Sequence, residues 1–430
     1  MTTPLERDLP GCLYVLTASP PAATPPLHAP ARAEIAVIGA GYTGLSTALH
    51  LAEQGHAVVV LEAREPGWGA AGRNGGQLNA GLKHEPDQVE RDLGGVFGPR
   101  LVQLAGGAPE YAFGLIERLG IDCDARREGT LRVAVRPRHV AALQASAEQW
   151  RRRGVELDVW QPAQIAAATG TRRYAAATFD RRGGSVNPLS LARGLAAAAI
   201  AAGATIHSET PALGLERRGR QWSIATPKAA VLADRVVLAT DGYSDQLWPG
   251  LRTSIVPIYS SIIATDPLPH SVAATVLPDG GVVYESGDIT VYYRRDGDNR
   301  LLMGGRGRQA PATNRADYIH LIRYAEGLWP GLAAARWSRW WNGQFALTPD
   351  FYPRFHAPAP GLFIALGYSG RGVALGIAVG GQLAAAASGA DLGALALPVS
   401  PIAPIALHRY WKLGVAARVA YGRLRDRFGR

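Results

Sequence analysis

Short apolar runs and well-placed glycines divide this chain into elements. Glu34 to Ile38, EIAVI, reads as a buried strand, and Ala57 to Leu61, AVVVL, as a second. Between them a glycine turn leads into a helix predicted from about Tyr42 to Gln54, which Gly55 ends in the left-handed conformation. This strand–turn–helix–strand unit takes about 30 residues. From 84 to 180 the pattern is mainly helical, with strands near 129–135 and 155–160. An alanine-rich helix over 188–203 closes at Gly203, and the strand ATIHSET follows. Residues 221–226 and 230–238 read as a hairpin feeding a buried strand, RVVLA. Several β-rich segments fall between 251 and 305, among them ITVYYRR and LLMGG. A helix over about 315–327, a last buried strand at 361–366 and a small-residue helix over 372–388 complete the body.

The two ends differ from the body. Residues 17–33, TASPPAATPPLHAPARA, are too rich in proline for a helix and carry no strand alternation, so they are predicted to run extended over the surface. Leu407 to Arg430 reads as a basic helix, RYWKLGVAARVAYGRLRDRF. Its apolar stripe is short and alanine-rich, which favours packing onto the body over weak contact with a membrane surface.

Composition narrows the classes. A chain of 430 residues, 47% hydrophobic and 19% charged, sustains a large core and more than one domain. The net charge is +10, and the only lysines are Lys83, Lys228 and Lys412, so arginine carries the surplus. The arginines are scattered in doublets and triplets such as Arg151-Arg152-Arg153, without one dense basic run interleaved with aromatics, so no nucleic acid is expected as a partner. No run of 18 or more apolar residues is clean enough to span a membrane, and MTTPLERDLPG is not a secretory signal. Cys12 and Cys123 have no metal-like neighbours. Two incidental cysteines in a reduced, cytoplasmic protein fit better than a lone disulfide, and no metal site is expected.

The chemistry begins at Gly39-Ala40-Gly41-Tyr42-Thr43-Gly44. Gly39 permits a tight turn, Gly41 lets backbone approach a pyrophosphate, and Gly44 lets the helix pack against the strand. The helix N-terminus offers free N–H groups to phosphate. Glu62 closes the second strand where an acid should hold ribose hydroxyls, with Ala63 and Arg64 beside it. A bare glycine motif is weak; strand, helix, strand and acid in register make a dinucleotide site.

Three further segments favour FAD over NAD. GWGAAGRNGGQ supplies small residues that let chain pass against a flat or charged ligand: Ala70, Ala71, Asn74, Gly75, Gly76 and Gln77, with Arg73 as a partner for pyrophosphate. VVLATDG ends a buried strand in Ala239, Thr240 and Gly242, which suits a path beneath the cofactor. LGYSGRGV joins the last strand to the last helix through Gly367, Gly370, Arg371, Gly372 and Val373, where helix N–H groups can face the flavin N1–C2=O edge.

With these segments in place, the chain resembles the D-amino-acid-oxidase-type FAD oxidoreductases, and within them the gamma-glutamylputrescine oxidase-like branch. The resemblance runs from about Leu13 to the C-terminus. It rests on GAGYTGLSTALHLAEQG, LEAREPGWGAAGRNGGQ, VNPLSLARGLAAAA, LATDGY, YYRRDGDNRLLMGGR, GYSGRGV and the terminal YGRLRDRF. It implies an α/β fold with a discontinuous Rossmann-like FAD-binding domain (31–83, 181–250 and 341–400). A second, substrate domain of mixed β-sheet plus helices is expected over 84–180 and 251–340, with 1–30 as lead-in and 401–430 as the terminal helix. It also implies oxidation of a C–N bond by hydride transfer to flavin N5, hydrolysis of the imine, and reoxidation by O2 with release of H2O2.

Departures from the family pattern matter as much. Where some relatives tether flavin through a His, this chain has Gly69; where others use a Cys, the matching position resembles Gly343. The expected FAD is therefore noncovalent. The positions that clamp a small amino-acid carboxylate in sarcosine oxidases correspond to Gly76 and Ala374, which argues against a small N-methyl amino acid. Many relatives have a Gly-His-Gly where this chain has Gly370-Arg371-Gly372, so Arg371 is expected beside either flavin or a substrate carboxylate. Tyr259, Tyr292 and Tyr293 are candidate pocket residues, with ordinary strand aromatics as the alternative.

The leading expectation is an oxidase of a polyamine derivative such as gamma-glutamylputrescine. A dehydrogenase passing electrons to a quinone or protein, and an RNA-associated flavoprotein, are the alternatives. A hydrolase is excluded, because Gly367-Tyr368-Ser369-Gly370-Arg371 lacks the second glycine of a nucleophile elbow.

Overall fold

The predicted first strand forms as Ala31–Ile38 and buries its last four residues. Its neighbours are both parallel: Val58–Leu61 on one side and Ala230–Leu238 on the other. Strands covered on both faces read as unbroken apolar runs, which is why AVVVL and RVVLA were legible. The computed structural model describes residues 11–287, 290–311 and 313–428, with side chains to 422. The start of the lead-in and the last two residues of the terminal helix lie outside the described residues.

The first sheet runs in the order Arg354–Ala359, Leu362–Leu366, Ala230–Leu238, Ala31–Ile38, Val58–Leu61, Thr205–His207. Gln221–Ala225 pairs antiparallel with Ala230–Leu238, and Gly214–Arg218, a strand missed in the sequence, pairs with Gln221–Ala225. Three separate stretches of chain thus build one sheet. Helix Tyr42–Glu53 packs on helix Ala374–Ser388 through small residues, and a Cβ on Gly380 would meet Ser46 Cβ at 2.5 Å.

The second sheet is mixed. Its order is Trp337–Leu347, Val256–Thr265, Leu301–Arg306, Tyr292–Arg295, Val282–Ser286, Thr130–Ala134, Ala176–Asp180, Asp158–Trp160. Only the pairing of Val282–Ser286 with Thr130–Ala134 is parallel. Ala176–Asp180 is a strand the helical pattern of that region concealed.

Two elements bear on the expected domain bounds. Strand Trp337–Leu347 runs straight through 340/341 and pairs with Val256–Thr265 along its length, so its second half belongs with the second sheet. The helical stretch Pro86–Leu119, broken at Gly94 (φ +74°), falls in the segment expected to cover substrate, and its Leu101, Val102, Ala105, Ala112 and Phe113 share a core with Ile35, Val37 and Leu383. An apolar stripe shows that a helix face is buried, not which sheet buries it.

The lead-in is extended from 18 to 28 after a short helix, Leu13–Thr17. It is stitched down as well: Ser19 N–H donates to Ser190 Oγ at 3.0 Å and Leu27 N–H to Thr210 Oγ1 at 3.1 Å. Cys12 and Cys123 are free, and burial pushes both thiols up to about 12, far from the reactive thiolate. The terminal helix, described as Trp411–Phe428, half-buries the stripe Trp411, Val415 and Val419, buries Gly422 and leaves Leu413 and Tyr421 exposed. Among the described residues no helix is long and apolar enough to cross a membrane.

Candidate functional site

A cavity of about 1270 Å³ runs between the two sheets. One end is the glycine fingerprint. Gly39 has φ +103°, and a Cβ there would meet Ala239 O at 2.9 Å. On Gly44 a Cβ would meet Gly39 O at 1.9 Å. These two glycines make the turn and the strand–helix contact and face protein. Gly41 differs: a Cβ there would meet only Ala71 Cβ, at 3.9 Å, so its open side is the cavity. Gly41 is also the N-cap of helix Tyr42–Glu53 and provides no side-chain cap, which leaves the helix N-terminus to serve an anion.

Glu62 holds the turn. Its Oε2 accepts Ala40 N–H at 2.8 Å and its Oε1 accepts Arg64 N–H at 2.9 Å. Burial pushes its carboxyl upward, partly offset by these backbone donors. The loop 67–77 is held by Asn74. Its Nδ2 donates to Ala71 O at 2.8 Å and its Oδ1 accepts Gly76 N–H at 2.8 Å. Arg73 lies flat on Trp68, 4.0 Å from the ring centroid, and its Nε donates to Trp68 O at 2.6 Å. Arg73 Nη2 is buried on the cavity wall without a protein partner among the described residues. A buried guanidinium nitrogen in that position suits a bound phosphate.

The opposite wall comes from the second sheet and the turn before the last helix. Tyr259, Tyr284, Tyr292 and Arg306 line it, with Lys83 and Arg371. The Tyr292 ring fits where Gly75 and Gly304 lack side chains; a Cβ on either would strike it, at 2.6 and 2.1 Å. Its hydroxyl shares a 2.9 Å hydrogen bond with Ser260 Oγ, and burial pushes the phenol up to about 12. Arg371 reaches across from its turn: Nη2 donates to Tyr284 Oη at 3.2 Å, and the guanidinium stacks on that ring at 4.8 Å. Arg371 Nη1 is buried without a protein partner among the described residues.

Most sequence-predicted residues line this one cavity, from the fingerprint and Glu62-Ala63-Arg64 through Gln77, Ala239, Thr240 and Gly343 to Gly370 and Val373. Five do not. Tyr293 is fully buried on the far side of its strand, where its hydroxyl bonds Tyr174 Oη at 2.6 Å in a network with Glu285. It is adjacent to Tyr292, and neighbours on a strand point to opposite faces. Gly44, Gly76, Gly242 and Gly367 are glycines for local reasons. Gly76 (φ +69°) and Gly367 (φ +83°) occupy left-handed backbone, while a Cβ on Gly242 would strike Phe345 backbone at 2.7 Å.

Other residues were missed. Asp241, inside the LATDGY segment, accepts Gly367 N–H at 2.8 Å and Ala346 N–H at 3.1 Å, tying three chain segments together. Trp68 and Tyr243 meet edge to face at 5.4 Å beneath Gly69. Lys83 gave one weak signal, being one of three lysines in an arginine-rich chain. Tyr284 gave none. The stretch Ile405 to Val419 also borders the cavity.

The long cavity, the open Gly41, the uncapped helix and the orphaned Arg73 nitrogen fit a dinucleotide that extends toward the second sheet. At positions 69 and 343 glycines border the cavity, and neither offers a side-chain atom for a covalent tether. A family model described as DAO, FAD dependent oxidoreductase, matches residues 34–386. The probable oxidoreductase OrdL of Haemophilus influenzae is 32% identical over 374 residues, 85% of each chain. The gamma-glutamylputrescine oxidoreductase of Escherichia coli is 34% identical over 346 residues, 79% of this chain and 80% of that one. Among solved structures, glycine oxidase from Geobacillus kaustophilus superposes with a TM-score of 0.73 at 23% identity, over 88% of this chain and 99% of that one.

Proposed function

The chain belongs to the DAO family of FAD-dependent oxidoreductases, and on that premise we propose that it oxidises a C–N bond of a polyamine derivative resembling gamma-glutamylputrescine. When bound, FAD supplies the hydride acceptor at N5 and the route for electrons to O2, with H2O2 as product. Everything else falls to the protein. Gly41, Arg73 and the N-terminus of helix Tyr42–Glu53 would hold the pyrophosphate, and Glu62 the ribose end.

The single observation that carries the substrate reading is the continuity of the cavity from Glu62 to Lys83, Tyr284 and Arg371. A flavin anchored at the fingerprint leaves a substrate space walled by tyrosines and cations. The phenol of Tyr292, held protonated by burial, is a neutral hydrogen-bond donor. Lys83, Arg306 and Arg371 set up a cationic field across the cavity, so an amine nitrogen held elsewhere in it, away from that wall, is pushed toward its neutral form, the form able to give up hydride from the adjoining carbon. No strong base is needed when the field removes the proton's advantage.

A peroxide-coupled screen of amines, starting with gamma-glutamylputrescine, tests the proposal. Peroxide formation with that amine supports it; silence across the screen with FAD-loaded protein removes it. The exposed Leu413 and Tyr421 on the terminal helix, whose inner stripe borders the cavity, favour one second reading: a quinone or protein takes the electrons. Oxygen uptake measured beside dye reduction separates the two.

A further inference from the structure

Lys83 has no carboxylate partner among the described residues, and the charges that act on it are Arg371, Arg306 and Arg132, all cationic. Arg132 is itself spoken for, donating to Glu85 Oε1 at 2.6 Å. The described carboxylates that line the cavity do not answer Lys83 either. Glu62 and Asp241 accept backbone N–H groups, and Asp245 accepts Leu247 N–H at 2.9 Å. Lys83 is open to water on the cavity side; enclosure by the surrounding walls, then repulsion from the three arginines, pushes it down to about 7. Arg371 completes the pattern. Tyr284 fixes its guanidinium by stacking and by one hydrogen bond, while Nη1 stays buried without a partner.

We propose that Lys83 and Arg371 form a receptor for a carboxylate on the substrate, remote from the amine that is oxidised. The inference rests on the amine-oxidase reading and adds the second recognition point. A guanidinium locked in plane offers parallel N–H donors to a carboxylate, and a lysine beside it adds a point charge. The same wall selects against substrates without the anion. A simple diamine carries two positive charges into a cationic field with nothing to offset the repulsion. A diamine acylated through an amino diacid trades one ammonium for an ammonium–carboxylate pair, so it keeps two cations and adds an anion that offsets the repulsion. Specificity then comes as much from what the wall repels as from what it holds.

Glutarate is the probe, titrated into the FAD-loaded enzyme and followed both by perturbation of the flavin's visible spectrum and by calorimetry, so that a spectrally silent site is still seen. Glutarate is expected to bind and glutaramide, its uncharged diamide, not to. Lys83→Met and Arg371→Met should each weaken glutarate about 10- to 100-fold, and Lys83→Arg should keep it. In the native enzyme binding should weaken as pH rises through about 7, the value to which Lys83 is pushed. Among the described residues the titratable and charged groups around Lys83 are Arg371, Arg306, Arg132 with Glu85, Tyr284 and His84. His84 faces Asp350 O through Nε2 at 2.7 Å, so His84→Gln should leave the pH dependence in place and Lys83→Arg should abolish it. Equal glutarate binding in native enzyme and both methionine variants would overturn the proposal. So would an Arg371→Met enzyme that loses FAD affinity and keeps glutarate. Turnover separates this inference from the one beneath it. If no amine is oxidised, the amine-oxidase reading fails; if gamma-glutamylputrescine and putrescine are oxidised with equal kcat/KM, only the carboxylate receptor fails.

Discussion

Arg371 and Tyr284 join the two halves of the cavity. The guanidinium, carried by the turn before the last helix, stacks 4.8 Å from the tyrosine ring centroid and donates to its hydroxyl at 3.2 Å. That contact sets Arg371 toward the substrate sheet. Removing the Tyr284 hydroxyl frees the guanidinium without deleting it. Tyr284→Phe is expected to raise KM for gamma-glutamylputrescine about three- to tenfold, with kcat and the FAD-to-protein ratio nearly unchanged. Steady-state kinetics beside flavin quantitation checks this, and a fall in kcat at constant KM goes against it.

Gly44 and Gly41 of the fingerprint should separate cleanly. Gly44→Ala puts a Cβ 1.9 Å from Gly39 O, a backbone atom that cannot swing aside. It should cost the flavin-free protein about 3 kcal/mol, seen as a lower denaturant midpoint. Gly41→Ala meets only Ala71 Cβ, so it should cost less than about 1 kcal/mol as a lost N-cap glycine. Its effect should appear instead in FAD titration, as an affinity weakened about tenfold or more.

Lys83 links stability to pH. Its folded value, about 7, lies below the ordinary lysine value of 10.5, so between those pH values the unfolded chain binds more protons than the folded one. Stability of the flavin-free protein should therefore rise with pH across that window and fall as pH drops through about 7. In Lys83→Met that rise should be shallower, and because Lys83 is open to water in the cavity the gain in stability at pH 7 should be small. Chemical denaturation at several pH values reads both. A cation held where it destabilises the fold is what a binding site for an anion predicts.

Tyr293 should behave as a core residue. Tyr293→Phe breaks a 2.6 Å hydrogen bond to Tyr174 in the network that includes Glu285 and Tyr324. A loss of about 0.5–1.5 kcal/mol in stability is expected, with KM and kcat unmoved. A large change in kcat would return Tyr293 to the site.

What was legible in the sequence was local. Gly39, Gly41 and Gly44 encode a turn, an opening and a helix contact within six residues, and Glu62 closes the same unit. Asn74 and Gly76 likewise act on their own loop. Side chains that converge from distant segments left little trace. Lys83, Tyr284 and Asp241 acquire meaning only when the two sheets face each other. Adjacent Tyr292 and Tyr293 look alike in a string of letters, and the pleat sends one to the cavity and one to the core. Gly367 and Gly242 show the converse: a glycine near a cofactor site is often there for backbone conformation or close packing rather than for ligand. The helical stretch Pro86–Leu119 was legible only as part of a mainly helical region, and which sheet it packs on was not, since periodicity carries no address.

The central claim is that this cavity joins FAD to an amine. Anaerobic mixing of the FAD-loaded enzyme with gamma-glutamylputrescine tests it most directly. Bleaching of the oxidised flavin's visible absorbance, restored on admitting air, is the predicted result. A flavin that stays oxidised in the presence of that amine and of every other amine tried contradicts it.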